Sequence, residues 1–179
     1  SSSGGSKVAK NSSFVAFTHS AAPYLSVYSW SSSGFGAKFA NPAVGVSGTN
    51  GFDVDFSPSE EAIAFVGQYG SLQAYSWSAS GFGTRYTALN APNISYGVTF
   101  SPLGNYVAAT SYDWDHIAVY PWSSTTGFGT LYAAPATPLE WTTYSVTFSP
   151  TENAIAIGSI SNPCLEAYRW SSSGFGTKY

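Results

Sequence analysis

The phrase Tyr-Ser-Trp-Ser-Ser-Ser-Gly-Phe-Gly at residues 28–36 returns, nearly unchanged, from Tyr75, Tyr120 and Tyr168. Its tryptophans, Trp30, Trp77, Trp122 and Trp170, lie 47, 45 and 48 residues apart. A second phrase keeps the same beat. Phe-Ser-Pro begins at Phe56, Phe100 and Phe148, and three residues further on come Ala-Ile-Ala-Phe, Tyr-Val-Ala-Ala and Ala-Ile-Ala-Ile. Self-similarity at roughly 40 to 50 residues marks a propeller or solenoid, in which each repeat buries its faces against its neighbours.

Each repeat carries four short strand signals. The first ends in Val-x-Phe before Ser-Pro, the second is the Ala-Ile-Ala type, the third ends in Tyr-x-Trp, and the fourth follows the Gly-Phe-Gly. In the third, Leu25 and Val27 alternate with Ser26 and Tyr28, the period of a half-buried strand. Ser-Pro, Trp-Ser and Asn/Pro-rich stretches between them supply turn chemistry. No segment offers a helical stripe. The first repeat is worn: Val8 stands where later repeats have Phe56, and residues 1–6 read as linker. The predicted architecture is all-β, with one domain over 7–179 and blades at about 7–43, 44–90, 91–136 and 137–179. Four blades is at the low end of the roughly four to eight that close a ring, so the chain is expected to close alone, with a second copy, or within a larger propeller.

The order Val-x-Phe-Ser-Pro, polar turn, x-Ile-Ala, loop, Ile-x-Val-Tyr-x-Trp and Gly-containing turn resembles the WD40-type β-propeller repeat and covers residues 8–179. The chain is similar to divergent members of that family, in particular to the Gly-Phe-Gly-rich propeller repeats of bacteriophage and environmental viral proteins. That resemblance implies four-stranded blades and a virion or secreted surface setting.

Composition narrows the function classes. Charged residues are 8% of the chain, against about 25% in an average soluble protein. The net charge is -3, and six Lys and Arg are scattered along the sequence, which argues against a nucleic-acid footprint. No apolar run reaches the roughly 20 residues that span a bilayer. The single cysteine, Cys164, rules out an internal disulfide and has no evident histidine partner.

The repeated hairpin phrase reads as scaffold, because a blade hairpin needs four copies and a ligand pocket does not. Function is sought where the repeats disagree: in the link between second and third strands, and in the link into the next blade. Blade topology puts both at one end. There Tyr69, Tyr112, Trp114, Trp141 and Tyr144 offer ring faces, and Asp113, Asn50 and Gln68 offer polar groups. Such a mix suits a glycan or a protein epitope. Asp113, Asp115 and His116 invite a metal or acid–base reading, but strand alternation sends the aspartates and the histidine to opposite sides. With two histidines and nine acids spread along the chain and no repeated cluster, no catalytic residue, metal or cofactor is assigned. The expectation is a non-enzymatic binding module whose partner is a protein or glycan, with Tyr69, Tyr112, Asp113, Trp114, Trp141 and Tyr144 as its contacts. The alternatives are a self-assembling unit of an appendage and, last, a hydrolase or lyase. Self-association into a homo-oligomer fits any of these.

Overall fold

The computed structural model describes residues 6–8, 13–46, 48–87, 96–112, 116–160 and 162–179. They form sixteen strands in four antiparallel sheets of four, each a simple meander in chain order. The first sheet holds β1 (Ser6–Val8), β2 (Phe14–Thr18), β3 (Leu25–Ser31) and β4 (Gly34–Lys38). The second holds β5 (Thr49–Phe56), β6 (Ala62–Gln68), β7 (Gly70–Ser78) and β8 (Gly81–Thr87). The third holds β9 (Val98–Phe100), β10 (Tyr106–Thr110), β11 (Ile117–Ser123) and β12 (Gly127–Phe128), and the fourth β13 (Thr143–Phe148), β14 (Ala154–Ser159), β15 (Leu165–Ser171) and β16 (Gly174–Lys178). The arrangement is compatible with four propeller blades.

The hairpin phrase does what its residue types require. Its first glycine has positive φ in every copy: Gly34 +99°, Gly81 +99°, Gly127 +80° and Gly174 +96°. That turn brings the tryptophan opposite the phenylalanine, and the rings meet edge to face at 5.0 Å for Trp30–Phe35, 4.9 Å for Trp77–Phe82, 5.1 Å for Trp122–Phe128 and 4.9 Å for Trp170–Phe175. The fourth strand therefore starts at Gly-Phe-Gly itself, earlier than the sequence reading placed it. β12 is the exception, only two residues long. Pro121 replaces the residue before Trp122 and has no N–H for the ladder, and the third hairpin loop is one residue longer.

Alternation gives each middle sheet two apolar faces and so arranges the sheets in series. One core packs Ala16, Leu25 and Val27 against Val54, Phe56, Ile63, Phe65, Tyr75 and Trp77. A second joins Ala62, Ala64, Val66, Leu72 and Ala74 to Val98, Val107, Ala109, Tyr120 and Trp122. The third joins Ala108, Ile117 and Val119 to Phe148, Ile155, Ile157, Tyr168 and Trp170. Among the described residues no comparable core joins the fourth sheet to the first.

Polar ties cross the same seams. Asp55 Oδ2 accepts from Phe100 N at 2.9 Å and Thr99 Oγ1 at 3.1 Å, and Asp53 Oδ2 accepts from Val98 N at 3.0 Å. Glu152 accepts from Leu103 N and Asn105 Nδ2, both at 2.8 Å. The first strands β1, β5, β9 and β13 neighbour one another, which makes them the inner edge of the arc.

Candidate functional site

The two diversified links of each repeat lie at one end of the arc, as expected from the meander. The link after a second strand touches the start of the next sheet's first strand: Gly51 N donates to the His19 carbonyl at 3.0 Å, and Thr143 N to the Ser111 carbonyl at 3.4 Å. The Thr143 hydroxyl donates to the His116 carbonyl. These bonds fix the β10–β11 turn, with Tyr112 and His116, beside the beginning of β13, with Tyr144.

An aromatic run crosses this end. Phe52 stacks on Tyr96 at 5.1 Å, and Tyr96 stacks on Tyr144 at 4.5 Å. Each of the three stands four residues before the phenylalanine of its Phe-Ser-Pro phrase, so the stack links the first strands of successive repeats. Burial first, then Tyr144 and the nearby Tyr112, push the Tyr96 phenol above its ordinary range. On the same turn as Tyr112, His116 holds a positive φ of 56°, and its Nδ1 is buried without a hydrogen-bond partner among the described residues.

The structure thus gathers two of the expected contact residues, Tyr112 and Tyr144, and adds Tyr96 and Phe52, with His116 on the adjoining turn. Tyr69 stands apart on the β6–β7 turn, exposed, with φ 56°. Trp141 is half-exposed on the link before β13. Asp113 and Trp114 lie outside the described residues, as does Asp115. Asn50 and Gln68 bond to each other, Nδ2 to Oε1, at 2.6 Å. Among the described residues no three His, Cys, Asp or Glu side chains group as metal ligands would. Tyr96 was within reach of sequence reasoning, since aligning the repeats puts an aromatic at that position three times.

A second concave place lies on the outer face of the first sheet, an open cleft of about 510 Å³ lined by Phe17, His19, Ser26, Tyr28 and Phe35. His19 Nδ1 is 2.6 Å from the Ala21 carbonyl, which only accepts, so that nitrogen carries the proton. Nε2 then accepts from the Ser26 hydroxyl at 3.0 Å. The pairing is that of a base and a nucleophile, but its place in the repeat is different. Ser26 occupies the register of Gln73, Ala118 and Glu166, all three buried between sheets. The cleft is one uncovered half of a sheet-to-sheet seam, and the His19–Ser26 bond ties down the turn above it.

No family model and no curated protein sequence matches the chain. Among solved structures, a protein of Bacteroides uniformis provisionally named a 6-phosphogluconolactonase superposes on 97% of the chain with a TM-score of 0.74 at 16% identity. The chain spans about half of that protein, 52% of its length. At this identity the likeness shows the fold alone, a propeller-like repeat arrangement, and it carries no WD-repeat or bacteriophage kinship. It does overturn the expectation of a non-enzymatic binding module or appendage unit, because the similar structure bears the name of an enzyme, the class ranked last from the sequence. The physical reason for the error is convergence: a propeller brings together inner-edge residues from different blades, so groups scattered along the chain, such as Phe52, Tyr96 and Tyr144, meet in space. In fold, then, the chain is an all-β array of four antiparallel four-stranded sheets, compatible with propeller blades, that superposes on about half of that solved structure.

Proposed function

We propose that the chain forms part of a propeller hydrolase that opens a cyclic ester of a sugar acid, with Tyr96 and Tyr144 at the inner edge and Tyr112 and His116 on the neighbouring β10–β11 turn as its site. The superposition on a protein named as a lactonase supports the reaction class. The observations that carry the site are the stacked tyrosine pair and, on the turn held against the start of β13, an imidazole whose buried Nδ1 has no partner among the described residues.

The roles follow from the chemistry of lactone hydrolysis. The Tyr144 and Tyr96 faces pack against the sugar ring, and a phenol hydroxyl donates to the carbonyl oxygen as negative charge develops there. His116 takes a proton from water as the water oxygen bonds to the carbonyl carbon. The ring C–O bond then breaks, the leaving oxygen is protonated, and the product is the open hydroxy acid. Substrate charge is set by what surrounds the site. Neither β9 nor β13, at whose starts Tyr96 and Tyr144 stand, holds a Lys or Arg; Lys38, Arg85, Arg169 and Lys178 lie on third and fourth strands, and Lys7 lies on β1 in the first sheet. A neutral lactone therefore fits better than a phosphorylated one.

The test is hydrolysis of glucono-1,5-lactone, followed as acid release above the spontaneous rate, with 6-phosphogluconolactone beside it. The expected result is turnover of the neutral lactone that drops at least tenfold in His116→Gln and in Tyr144→Phe, while Ser26→Ala keeps it. A folded chain that leaves both lactones at their spontaneous rates overturns the proposal.

A further inference from the structure

The residue five places after the hairpin glycine is aromatic in all four repeats: Phe39, Tyr86, Tyr132 and Tyr179. Three of these rings plug into the following sheet. Phe39 lies edge to face on Trp77 at 5.0 Å, Tyr86 on Trp122 at 5.5 Å, and Tyr132 on Trp170 at 5.1 Å. Each also covers the positive-φ glycine of that sheet's hairpin, Gly81, Gly127 and Gly174 in turn. Where the ring is a tyrosine, its hydroxyl donates to the carbonyl two residues past the tryptophan: Tyr86 to Ser124 at 2.8 Å and Tyr132 to Ser172 at 3.3 Å.

The fourth plug and the fourth socket are both empty. Tyr179 is held in register by the same backbone bond as Phe39 and Tyr132, to the Ala167 carbonyl at 2.9 Å, yet the residue is 68% exposed, with the Arg169 guanidinium over its ring at 5.4 Å in place of a tryptophan. Gly34 has nothing within 4 Å of where a Cβ would stand. Around it Trp30 is only partly buried, although Trp77, Trp122 and Trp170 are buried, and Phe35 is 61% exposed. The flat faces behind plug and socket match as well. Leu165 is 67% exposed, and Ala156 and Ala167 are partly buried, on the outer face of the fourth sheet. Their counterparts Leu25 and Leu72, Ala16 and Ala64, and Val27 and Ala74 are buried in the internal seams. On the outer face of the first sheet Tyr28 is half-buried, while Tyr75, Tyr120 and Tyr168 are fully buried.

We propose that a second copy of this chain closes the arc head to tail, the fourth sheet of each copy packing on the first sheet of the other, with Tyr179 over Trp30 and Gly34 and its hydroxyl donating to the Ser32 carbonyl. The occupant is a second copy because the missing half of each seam is present, exposed to solvent, at the other end of the same chain. Two copies make eight blades, the upper end of the usual range, and their combined length matches that of the similar solved structure, of which one chain covers 52%. The same closure covers the cleft over Ser26 and completes the inner edge facing Tyr96 and Tyr144. It is independent of the hydrolase reading.

Sedimentation velocity on the purified chain over a range of concentrations tests it. The expected species has twice the 18.8 kDa of one chain and grows no further. Tyr179→Ala and Leu165→Asp, both at exposed positions and so without cost to the fold, each raise the dimer dissociation constant by at least about 30-fold. A Ser32→Cys, Tyr179→Cys, Cys164→Ser chain links covalently between copies under mild oxidation. A monomer at every concentration overturns the proposal, as does a dimer that both single variants leave intact, or a mass that keeps rising as in an open filament. Loss of lactone hydrolysis with the dimer intact bears only on the proposed activity.

Discussion

The Tyr168 hydroxyl lies 3.0 Å from Glu166 Oε2, two residues back on the same strand, and 2.9 Å from the Thr137 carbonyl oxygen. Lys178 pairs with the same carboxylate oxygen from the neighbouring strand. Glu166 is buried, so its charge depends on these two partners. Lys178→Ala is expected to destabilise the fold by about 2 kcal/mol, read as a lower urea midpoint with unchanged slope. Adding Glu166→Gln to that variant removes the stranded charge and restores most of the loss.

Alkaline pH should loosen the same seams. Burial pushes the Tyr120 phenol up to about 12. Tyr168 is raised by burial and then by its bond to Glu166, and Tyr75 is raised by burial, against the opposing pull of Arg85. An acid that holds its proton more tightly when folded contributes stability that is complete below its unfolded value, about 10 for tyrosine, and is lost as pH rises through the folded value. The melting temperature is therefore expected to hold up to about pH 9 and fall steeply from 10 toward 12. Tyr120→Phe makes that fall shallower.

The hairpin glycines separate backbone strain from packing. A Cβ at Gly127 would sit 2.7 Å from the Tyr86 ring, whereas at Gly34 it would meet nothing within 4 Å. Gly34→Ala should cost only the left-handed penalty of about 1 to 2 kcal/mol in a dilute monomer. Gly127→Ala adds the displacement of a packed ring, for a total of roughly 3 kcal/mol or more. Thermal denaturation at low concentration compares the two, and equal losses would mean that the Tyr86 ring yields freely.

The seam between the second and third sheets rests on Asp55 as well as on its apolar core. Its carboxylate accepts from a backbone N–H and a hydroxyl of β9, and Asp55→Ala leaves the Phe100 N–H without that acceptor. A loss of roughly 2 kcal/mol is expected, with faster amide exchange concentrated in β9.

The scaffold was legible in the sequence because its parts repeat. Trp30 with Phe35, and Gly34 between them, announced a hairpin on residue type alone, and three further copies left little room for another reading. The proposed site was less legible, because Tyr96 gains its setting from Phe52 and Tyr144, neighbours contributed by different sheets. Exposure of ring faces at one end of the fold was foreseen for Tyr112 and Tyr144. Tyr69 and Trp141 share their residue type but not their surroundings, and composition cannot tell those cases apart. Tyr179 was the subtler signal: its equivalence to Phe39 is written in the repeat, but that equivalence has meaning only once Phe39 is seen lying on Gly81.

Serial packing also sets how the molecule opens. A terminal sheet of the open arc detaches by breaking one seam, while an inner sheet must break two, so the open chain frays from its ends and a protease finds β1 to β4 or β13 to β16 first. A ring has no such end. If closed, every sheet is an inner sheet, and the slowest step in the life of the folded protein becomes the parting of two copies rather than the loosening of one blade.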